Sequence, residues 1–369
     1  MKTFIGYEKG VGMGGWLTNY KRIRVLTREQ IEIISPGDWE HFDTYYTFED
    51  FQQVADWGMD HVRLTFDQVI MENCQQPFTY REKGLSYLDR AISWCHDLSL
   101  NVVLNLTHAV GAYCDGDISS LFTDTEEQER FLCLWEMLEK RYHNENCVFE
   151  LLNEPTTGDT DAWNDLASLA VQRLRAINPN RKIMVGSACW SHPEYLTQLK
   201  TYDDPNVVYN FHFYYPMEFS HQRSIMNPVM MVWNRAMPYP GDMERYREFR
   251  RFSAQSEEDL QGLDRMDGRY IARRMQPVLD FMESHPNDIV CCNEFSCMSH
   301  IPLEQRENWY ADIIAFLRKH NIGYTAWNYM HTPYDSTKAS LVDEKTRKIL
   351  SPRFLRILQG TEESATVSL

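Results

Sequence analysis

Short apolar runs with the character of β-strands alternate with segments of helical periodicity along almost the whole chain. Such runs are typical of parallel strands that are covered on both faces. They lie at 11–15, 61–66, 101–107, 147–153, 182–187, 207–213, 289–295 and 323–329. The helical patterns lie at 47–58, 85–100, 125–142, 161–177, 193–199, 269–284, 306–320 and 352–358. Eight strands alternating with eight helices predict an α/β protein with a (β/α)8 TIM barrel.

The main alternative to a barrel is an open doubly wound sheet, but no glycine-rich phosphate loop follows the first strand. One connection, at about 216–267, is far longer than a barrel loop needs. Because it carries aromatic residues such as Trp233 and Tyr246, we expect a small helical subdomain inserted between strand 6 and helix 6. The sequence thus predicts a single catalytic domain over 1–358 that includes this subdomain, and a flexible C-terminal tail over 359–369.

The formal net charge of −16 argues against binding to nucleic acid or to an anionic membrane surface. A neutral ligand fits better, and the aromatic content of 13% is compatible with sugars stacked on aromatic faces. The nine cysteines are an odd number without metal-ligand spacing, which favours reduced thiols. The N-terminus lacks the apolar stretch of a signal peptide, so we expect a cytoplasmic protein, with secretion through a removed signal as the alternative. A monomer is compatible with this sequence.

The ends of the predicted strands carry an unusual selection of polar and aromatic residues. A TIM barrel places its chemistry at the carboxyl ends of its strands. Each of these residues alone is more often a paired charge or a packing residue, but together they predict a polar pocket with aromatic walls and two carboxylates. They are Arg63, His108, Asn153, Glu154, Trp190, His212, Tyr214, Glu294 and Trp327.

Two carboxylates at the top of one barrel have a clear chemical use. Glycoside hydrolysis needs an acid that protonates the leaving oxygen and a carboxylate on the other side of the anomeric carbon. A carboxylate near a fixed cation such as Arg63 stays ionised, whereas its partner is raised in pKa by the nearby negative charge and by partial burial. The structural alternative is that Glu154 and Glu294 cap helices or pair with basic side chains.

The motifs HVRL, LLNEP, FHFYYP, NEF and TAWNY occur in this order at the predicted strand ends. This ordered set resembles glycoside hydrolase family 5, the cellulase family, over nearly the whole chain. The stretches 84–95, 209–222 and 239–241 are particularly similar to clostridial endo-β-1,4-glucanases that carry a subdomain inserted after strand six. The chain departs from the family pattern around the predicted nucleophile, where it reads Asn-Glu-Phe-Ser, and at Thr107, which precedes His108 where relatives often have a second histidine.

The resemblance implies a role for each matching residue. Glu154 corresponds to the acid/base and Glu294 to the nucleophile. The other positions correspond to residues that hold the nucleophile or the sugar at the cleavage site. These substrate-binding positions are Arg63, His108, Asn153, His212, Tyr214 and Trp327.

The resemblance predicts a retaining, endo-acting β-glucanase (cellulase) that cleaves β-1,4-linked or mixed-linkage glucan through a covalent glycosyl-enzyme. It implies neither a metal nor another cofactor, and its partner is a β-glucan polysaccharide or oligosaccharide. A mannanase, a xylanase, a 1,3-glucanase or an exo-acting β-glucosidase on the same residues stays open. A metal-dependent hydrolase with ligands His108, His212 and Glu294, and a non-catalytic sugar-binding protein, are the alternatives from other classes.

Four further aromatic residues are candidates for outer sugar subsites, with packing as the alternative reading of each. They are Trp16, Trp190, Tyr215 and Trp233.

Overall fold

The computed structural model of the chain describes residues 2–114 and 118–367. Within these residues eight parallel strands close into a barrel. The barrel strands are β1 (Lys9–Leu17), β2 (His61–Asp67), β3 (Asn101–His108), β4 (Cys147–Glu150), β5 (Ile183–Gly186), β6 (Val207–His212), β9 (Ile289–Phe295) and β10 (Gly323–Ala326). Around the barrel they follow the order β1-β10-β9-β6-β5-β4-β3-β2. The (β/α)8 prediction is confirmed, and all eight strands form where the apolar runs predicted them.

Helices cover the outside of the barrel. They are α1 (Arg28–Ile31), α2 (Pro36–Thr44), α3 (Phe48–Asp56), α4 (Gln68–Met71), α5 (Glu82–Asp97), α6 (Thr125–Arg141), α7 (Thr160–Ile177), α8 (Ala188–Ser191), α9 (Met217–Ser220), α10 (Pro228–Trp233), α11 (Met243–Phe252), α12 (Gly268–Arg274), α13 (Gln276–Ser284), α14 (Leu303–Lys319) and α15 (Pro352–Leu358). The helix predicted at 193–199 is a 3-10 helix, Pro193–Gln198.

Several of the covering helices begin at side-chain caps that the sequence supplies. Asp124 accepts hydrogen bonds from two backbone N–H groups at the start of α6, and Asp159 does the same for α7. Thr47 and Asp50 form a capping box at α3. These caps satisfy N–H groups that a helix start leaves unpaired, which fixes where each helix begins relative to the preceding strand.

The connection between β6 and α12 contains several short elements. Besides α9, α10 and α11, it carries the antiparallel strand pair β7 (Gly241–Asp242) and β8 (Arg265–Met266). Tyr239, Tyr246 and Phe249 of this connection are buried. Its definition as a subdomain over 216–267, like the domain boundary at 358, stays a prediction.

The described part of the C-terminal tail is anchored to α14. Ser364 and Thr366 donate side-chain hydrogen bonds to Asp312, and the backbone N–H groups of Ala365 and Thr366 donate to the same carboxylate. Asp312 is fully buried, so these donors satisfy a charge that would otherwise be costly. The sequence reasoning, which predicted a flexible tail, did not include this attachment.

None of the helices in the described ranges combines the length and the apolar character that crossing a membrane requires.

Candidate active site

A buried arginine on β2 lies at the bottom of the site. Arg63 donates two hydrogen bonds of 2.7 Å to the two carboxylate oxygens of Glu150, one of 2.5 Å to Glu294 and one of 2.7 Å to the amide oxygen of Asn153. Burial opposes the charge of Arg63, but the two carboxylates raise the pKa of its guanidinium. A fixed positive charge therefore lies between one structural carboxylate and the predicted nucleophile.

Glu294, at the end of β9, is held on several sides. One carboxylate oxygen accepts from Arg63, and the other accepts a 2.5 Å hydrogen bond from the hydroxyl of Tyr214. The Nδ1 atom of His212 lies 3.9 Å from that second oxygen. Burial favours the neutral acid, but the charges of His212 and Arg63 and the hydrogen bond from Tyr214 lower the pKa of Glu294 below its ordinary value. The side chain is thus set up to remain ionised.

Glu154 approaches the same space from the loop after β4. Its φ of 44° lies in the left-handed region, which is sparsely populated by residues other than glycine and costs on the order of 1–3 kcal/mol. Nδ1 of His212 lies 2.8 Å from Oε1 of Glu154, and an oxygen of Glu154 lies within 4.8 Å of an oxygen of Glu294. Burial lowers the pKa of His212, but Glu294 and Glu154 together raise it.

His108, at the end of β3, forms a second cluster beside the carboxylates. Its Nδ1 lies 2.8 Å from Oδ1 of Asp67, and its Nε2 lies 3.2 Å from Sγ of Cys114. The imidazole is fully buried and does not itself line the cavity, whereas Cys114 does. Burial lowers the pKa of His108, but the charges of Asp67 and Cys114 raise it well above its ordinary value.

Trp327 forms one wall of the site, at the end of β10. Its indole lies so close to β1 that a Cβ atom on Gly12 would be 2.5 Å from the ring, and one on Gly14 would be 2.2 Å from it. The backbone N–H of Gly14 also donates to the side chain of Asn328 at 2.8 Å. Gly12 and Gly14 of the GVGMGG stretch therefore make room for the aromatic wall.

A cavity of about 680 Å³ opens above these residues. Besides Asn153, Glu154, Tyr214, Glu294 and Trp327, its walls include residues from several loops and from the connection after β6. These are Asn19, Arg24, Thr65, Thr107, Cys114, Ile118, Ser119, Thr156, Trp190, His192, Met217, His221, Met226, Asn227, Asp335, Ser336 and Thr337. Its size and polar–aromatic lining suit several sugar units.

Three of the residues here also fit a metal ion by geometry. Glu154, His212 and Glu294 offer one ligand atom each, all within 4.8 Å of one another. The ligand set that the sequence suggested for a metal-dependent hydrolase included His108 instead. In the structure both nitrogens of His108 already contact Asp67 and Cys114, so His108 does not join this group. The expectation that no metal is required stays a prediction.

The structure brings the eight central predicted residues together; of the four outer subsite candidates, Trp16 is wrong, and neither Tyr215 nor Trp233 lines the cavity. Trp16 is 0% exposed and donates its indole N–H to the backbone of Phe42 within the core. The ring of Tyr215 is covered by the guanidinium of Arg274, at 4.0 Å from the ring centroid.

Trp233 packs against Phe249 and Phe252 and does not line the cavity, so its role as an outer subsite stays a prediction. Trp190 is different, because it lines the cavity and is 47% exposed. It is the one outer candidate that the structure places in the cleft.

Sequence reasoning did not single out Glu150, Asp67 or Cys114. Glu150 carries a signal, because a glutamate inside the apolar strand Cys147–Glu150 requires a buried partner. Asp67 also carries a signal in the sequence, because it lies at the end of the strand that contains Arg63. Cys114 lies in a loop and has no comparable signal in the sequence.

Known proteins resemble this chain in sequence and in fold. The model of the family Cellulase (glycosyl hydrolase family 5) matches residues 31–332. Endoglucanase C of Acetivibrio thermocellus is 34% identical over 361 residues, which cover 96% of this chain and 98% of that protein. Cellodextrinase A of Ruminococcus flavefaciens is 29% identical over 357 residues, covering 93% and 94%.

Among solved structures, endoglucanase Cel5A of Thermotoga maritima superposes with a TM-score of 0.72 at 19% identity and covers 96% of this chain and 97% of that one. This likeness extends the agreement in fold to the whole barrel. The family match and the similarity to endoglucanase C over nearly the full length of both proteins lead to one conclusion: this chain belongs to the cellulase family, glycosyl hydrolase family 5.

Proposed function

We propose that this protein is an endo-β-1,4-glucanase that hydrolyses its substrate with retention of the anomeric configuration. The observation that carries the proposal is the approach of Glu154 and Glu294, whose nearest oxygens lie within 4.8 Å. Retaining glycosidases place their two carboxyl groups about 5–5.5 Å apart, whereas inverting enzymes leave about 6.5–9.5 Å for a water molecule. The names of the similar relatives, endoglucanase C and cellodextrinase A, support a β-glucan as the substrate.

Glu294 is the nucleophile in this proposal. Arg63 and Tyr214 each donate a hydrogen bond of 2.5 Å to its carboxylate and orient one oxygen apiece. The lowered pKa keeps the group ionised at neutral pH, so it can attack the anomeric carbon and form a glycosyl ester. As the ester forms, the carboxylate loses its negative charge, and Arg63 remains neutralised by Glu150.

Glu154 supplies the proton to the departing sugar oxygen. Nδ1 of His212 lies 2.8 Å from Oε1 of Glu154, so the imidazole holds this side chain in position at the cavity. Once the leaving sugar has taken that proton, Glu154 is a carboxylate and accepts a proton from the water that attacks the glycosyl ester. The amide of Asn153, oriented by Arg63, is placed to bind a sugar hydroxyl beside the reacting carbon.

Two measurements test this function. Hydrolysis of soluble β-1,4-glucan should exceed hydrolysis of β-mannan, xylan and β-1,3-glucan, and the viscosity of a long glucan should fall well before much reducing sugar appears. Steady release of one small sugar at constant viscosity would contradict endo action. A higher rate on mannan or xylan would assign the same machinery to another polysaccharide.

The nucleophile assignment has its own test. Glu294→Ala should abolish hydrolysis, and added azide should restore turnover of an activated aryl glycoside by taking the vacated position. The matched control Glu244→Ala removes an exposed glutamate on α11 and should keep full activity. Glu294→Ala with near-normal activity would contradict the assignment.

A further inference from the structure

The thiol of Cys114 lies in the wall of the cleft and contacts a histidine that is itself held by a carboxylate. Sγ of Cys114 is 3.2 Å from Nε2 of His108, and Nδ1 of the same imidazole is 2.8 Å from Oδ1 of Asp67. Thr18 contacts the same Nδ1 at 3.5 Å. Cys114 is therefore a nucleophile in contact with a base, His108, which Asp67 orients in turn. The thiol itself lines the cavity. Glycoside hydrolysis by Glu154 and Glu294 makes no use of this thiol.

Other half-buried thiols of the chain have the opposite surroundings. Cys133 donates its S–H to Oε1 of Glu129 at 3.3 Å, and burial together with this glutamate raises the pKa of Cys133 to about 11. Burial and Glu32 raise the pKa of Cys74 to about 11 as well. At both positions the thiolate is disfavoured, so these cysteines are internal references of similar exposure and low reactivity.

The charge next to Cys114 has the sign that stabilises a thiolate. Asp67 favours the protonated form of His108, because its carboxylate is 2.8 Å from the imidazole within a buried site. An imidazolium at 3.2 Å from Sγ favours the thiolate in turn, as does the amide N–H of Asn153, which donates to Sγ at 3.8 Å. The geometry is that of an activated nucleophile, in a cleft that small solutes can enter.

We propose that Cys114 is a covalent modification site in the cleft, at which the thiolate reacts with small disulfides and the resulting adduct blocks glucan binding. The thiolate sulfur attacks one sulfur of the disulfide RS–SR. A new Cys114 S–SR bond forms, the original S–S bond breaks, and the other half leaves as RS⁻, which takes up a proton from solvent. Cys114 is oxidised to the mixed disulfide while one RS group is reduced to the thiol. A thiol reductant reverses the step.

The position of the adduct explains its effect. Sγ is 3.8 Å from the side chain of Asn153, which precedes Glu154 in the chain and hydrogen-bonds to Arg63. A group attached to Sγ therefore occupies the part of the 680 Å³ cavity next to the predicted site of cleavage. Glucan and adduct compete for the same space, so modification reduces hydrolysis by exclusion and leaves the carboxylates themselves unchanged.

The experiment treats the protein with excess 2-hydroxyethyl disulfide at neutral pH and follows two readouts. Peptide mapping by mass spectrometry gives the rate of modification at each cysteine, and hydrolysis of soluble β-1,4-glucan gives the activity. We expect Cys114 to be modified at least about tenfold faster than Cys133. Activity should fall in step with modification of Cys114 and return after treatment with a thiol reductant.

Variants separate the thiol from the rest of the molecule. Cys114→Ser, measured against its own starting rate, should keep that rate under the disulfide, whereas the control Cys133→Ser should lose activity as the wild type does. His108→Asn should slow modification of Cys114 because the base is gone. Cellobiose should protect Cys114 in the wild type.

Modification of Cys114 no faster than that of Cys133 would overturn the proposal, as would full modification without loss of activity. The mass readout does not depend on glucan hydrolysis. Failure of the proposed function therefore remains distinguishable from failure of this inference, and the wild-type mapping decides even if a variant does not fold.

Discussion

The two carboxylates of the site face each other but are supported in different ways. Glu294 belongs to the barrel strand β9, and its partners Arg63, Tyr214 and His212 come from β2 and from the end of β6. Glu154 follows the end of β4 in a left-handed conformation and contacts His212. The same difference holds for the whole cleft: barrel strands form its floor, and loops form its walls. Residues of the floor keep the nucleophile ionised, and residues of the walls determine which ligands reach it.

The largest expected effect distinguishes the roles of the two carboxylates. Glu294→Gln should lower the rate on every substrate by at least about 10⁴-fold, because the covalent step is lost. Glu154→Gln should lower the rate on glucan by about 10²–10⁴-fold, but by much less on aryl glycosides whose leaving group needs no proton. Steady-state kinetics on both substrate types checks this. Equal losses for Glu154→Gln on both would contradict its role as the acid.

The next effect tests the floor of the cleft, which the barrel strands form. Glu150→Gln leaves Arg63 with one carboxylate instead of two, so a buried charge loses part of its neutralisation. We expect destabilisation of about 3 kcal/mol and a decrease in kcat of about 100-fold with little change in KM. Thermal unfolding and kinetics measure the two. The matched control Glu126→Gln, at an exposed position in the first turn of α6, should change neither. A wild-type kcat for Glu150→Gln would show that Arg63 does not need its second partner.

The nucleophile gives a smaller, pH-dependent effect. The pKa of Glu294 is lowered, so the ionised, active form persists until the pH falls below the ordinary range of a glutamate. Tyr214→Phe removes one donor to this carboxylate and should raise its pKa, which moves the acid limb of kcat/KM to higher pH. The pH profiles of the two proteins check the direction. An unchanged acid limb would mean that Tyr214 does not tune Glu294.

The smallest effect is expected in the loop-built walls. Trp190→Ala should raise KM for long glucans by about fivefold and leave kcat and the melting temperature nearly unchanged, because the indole lines the cavity and is 47% exposed. Trp16→Ala should instead destabilise the fold by about 3–5 kcal/mol, since Trp16 is fully buried. A stable Trp16→Ala protein with a raised KM would show instead that Trp16 contacts the substrate in the cleft.

The difference between the floor and the walls of the cleft also explains which site residues the sequence could predict. A strand end fixes both the position and the direction of a side chain, so Arg63, His212 and Glu294 follow from the pattern of the barrel. The resemblance to the family adds their roles. Trp16 lies near the end of β1, but the pairing of β1 with β2 shifts register between Met13 and Leu17, so the alternation of the strand does not predict which way the indole points. Trp233 ends α10 in the inserted connection, where tertiary contacts decide whether an aromatic ring packs inward or faces the cleft. Cys114 was missed because it lies in a loop.

The stereochemistry of the first product tests the central claim most directly, because it reports whether Glu294 forms a covalent intermediate while Glu154 acts as acid and then as base. Proton NMR during hydrolysis of a soluble β-1,4-glucan oligosaccharide resolves the anomers before they equilibrate. The carboxylate pair described here predicts that the new reducing end appears first as the β-anomer. Initial appearance of the α-anomer would mean inversion and would contradict the proposed mechanism.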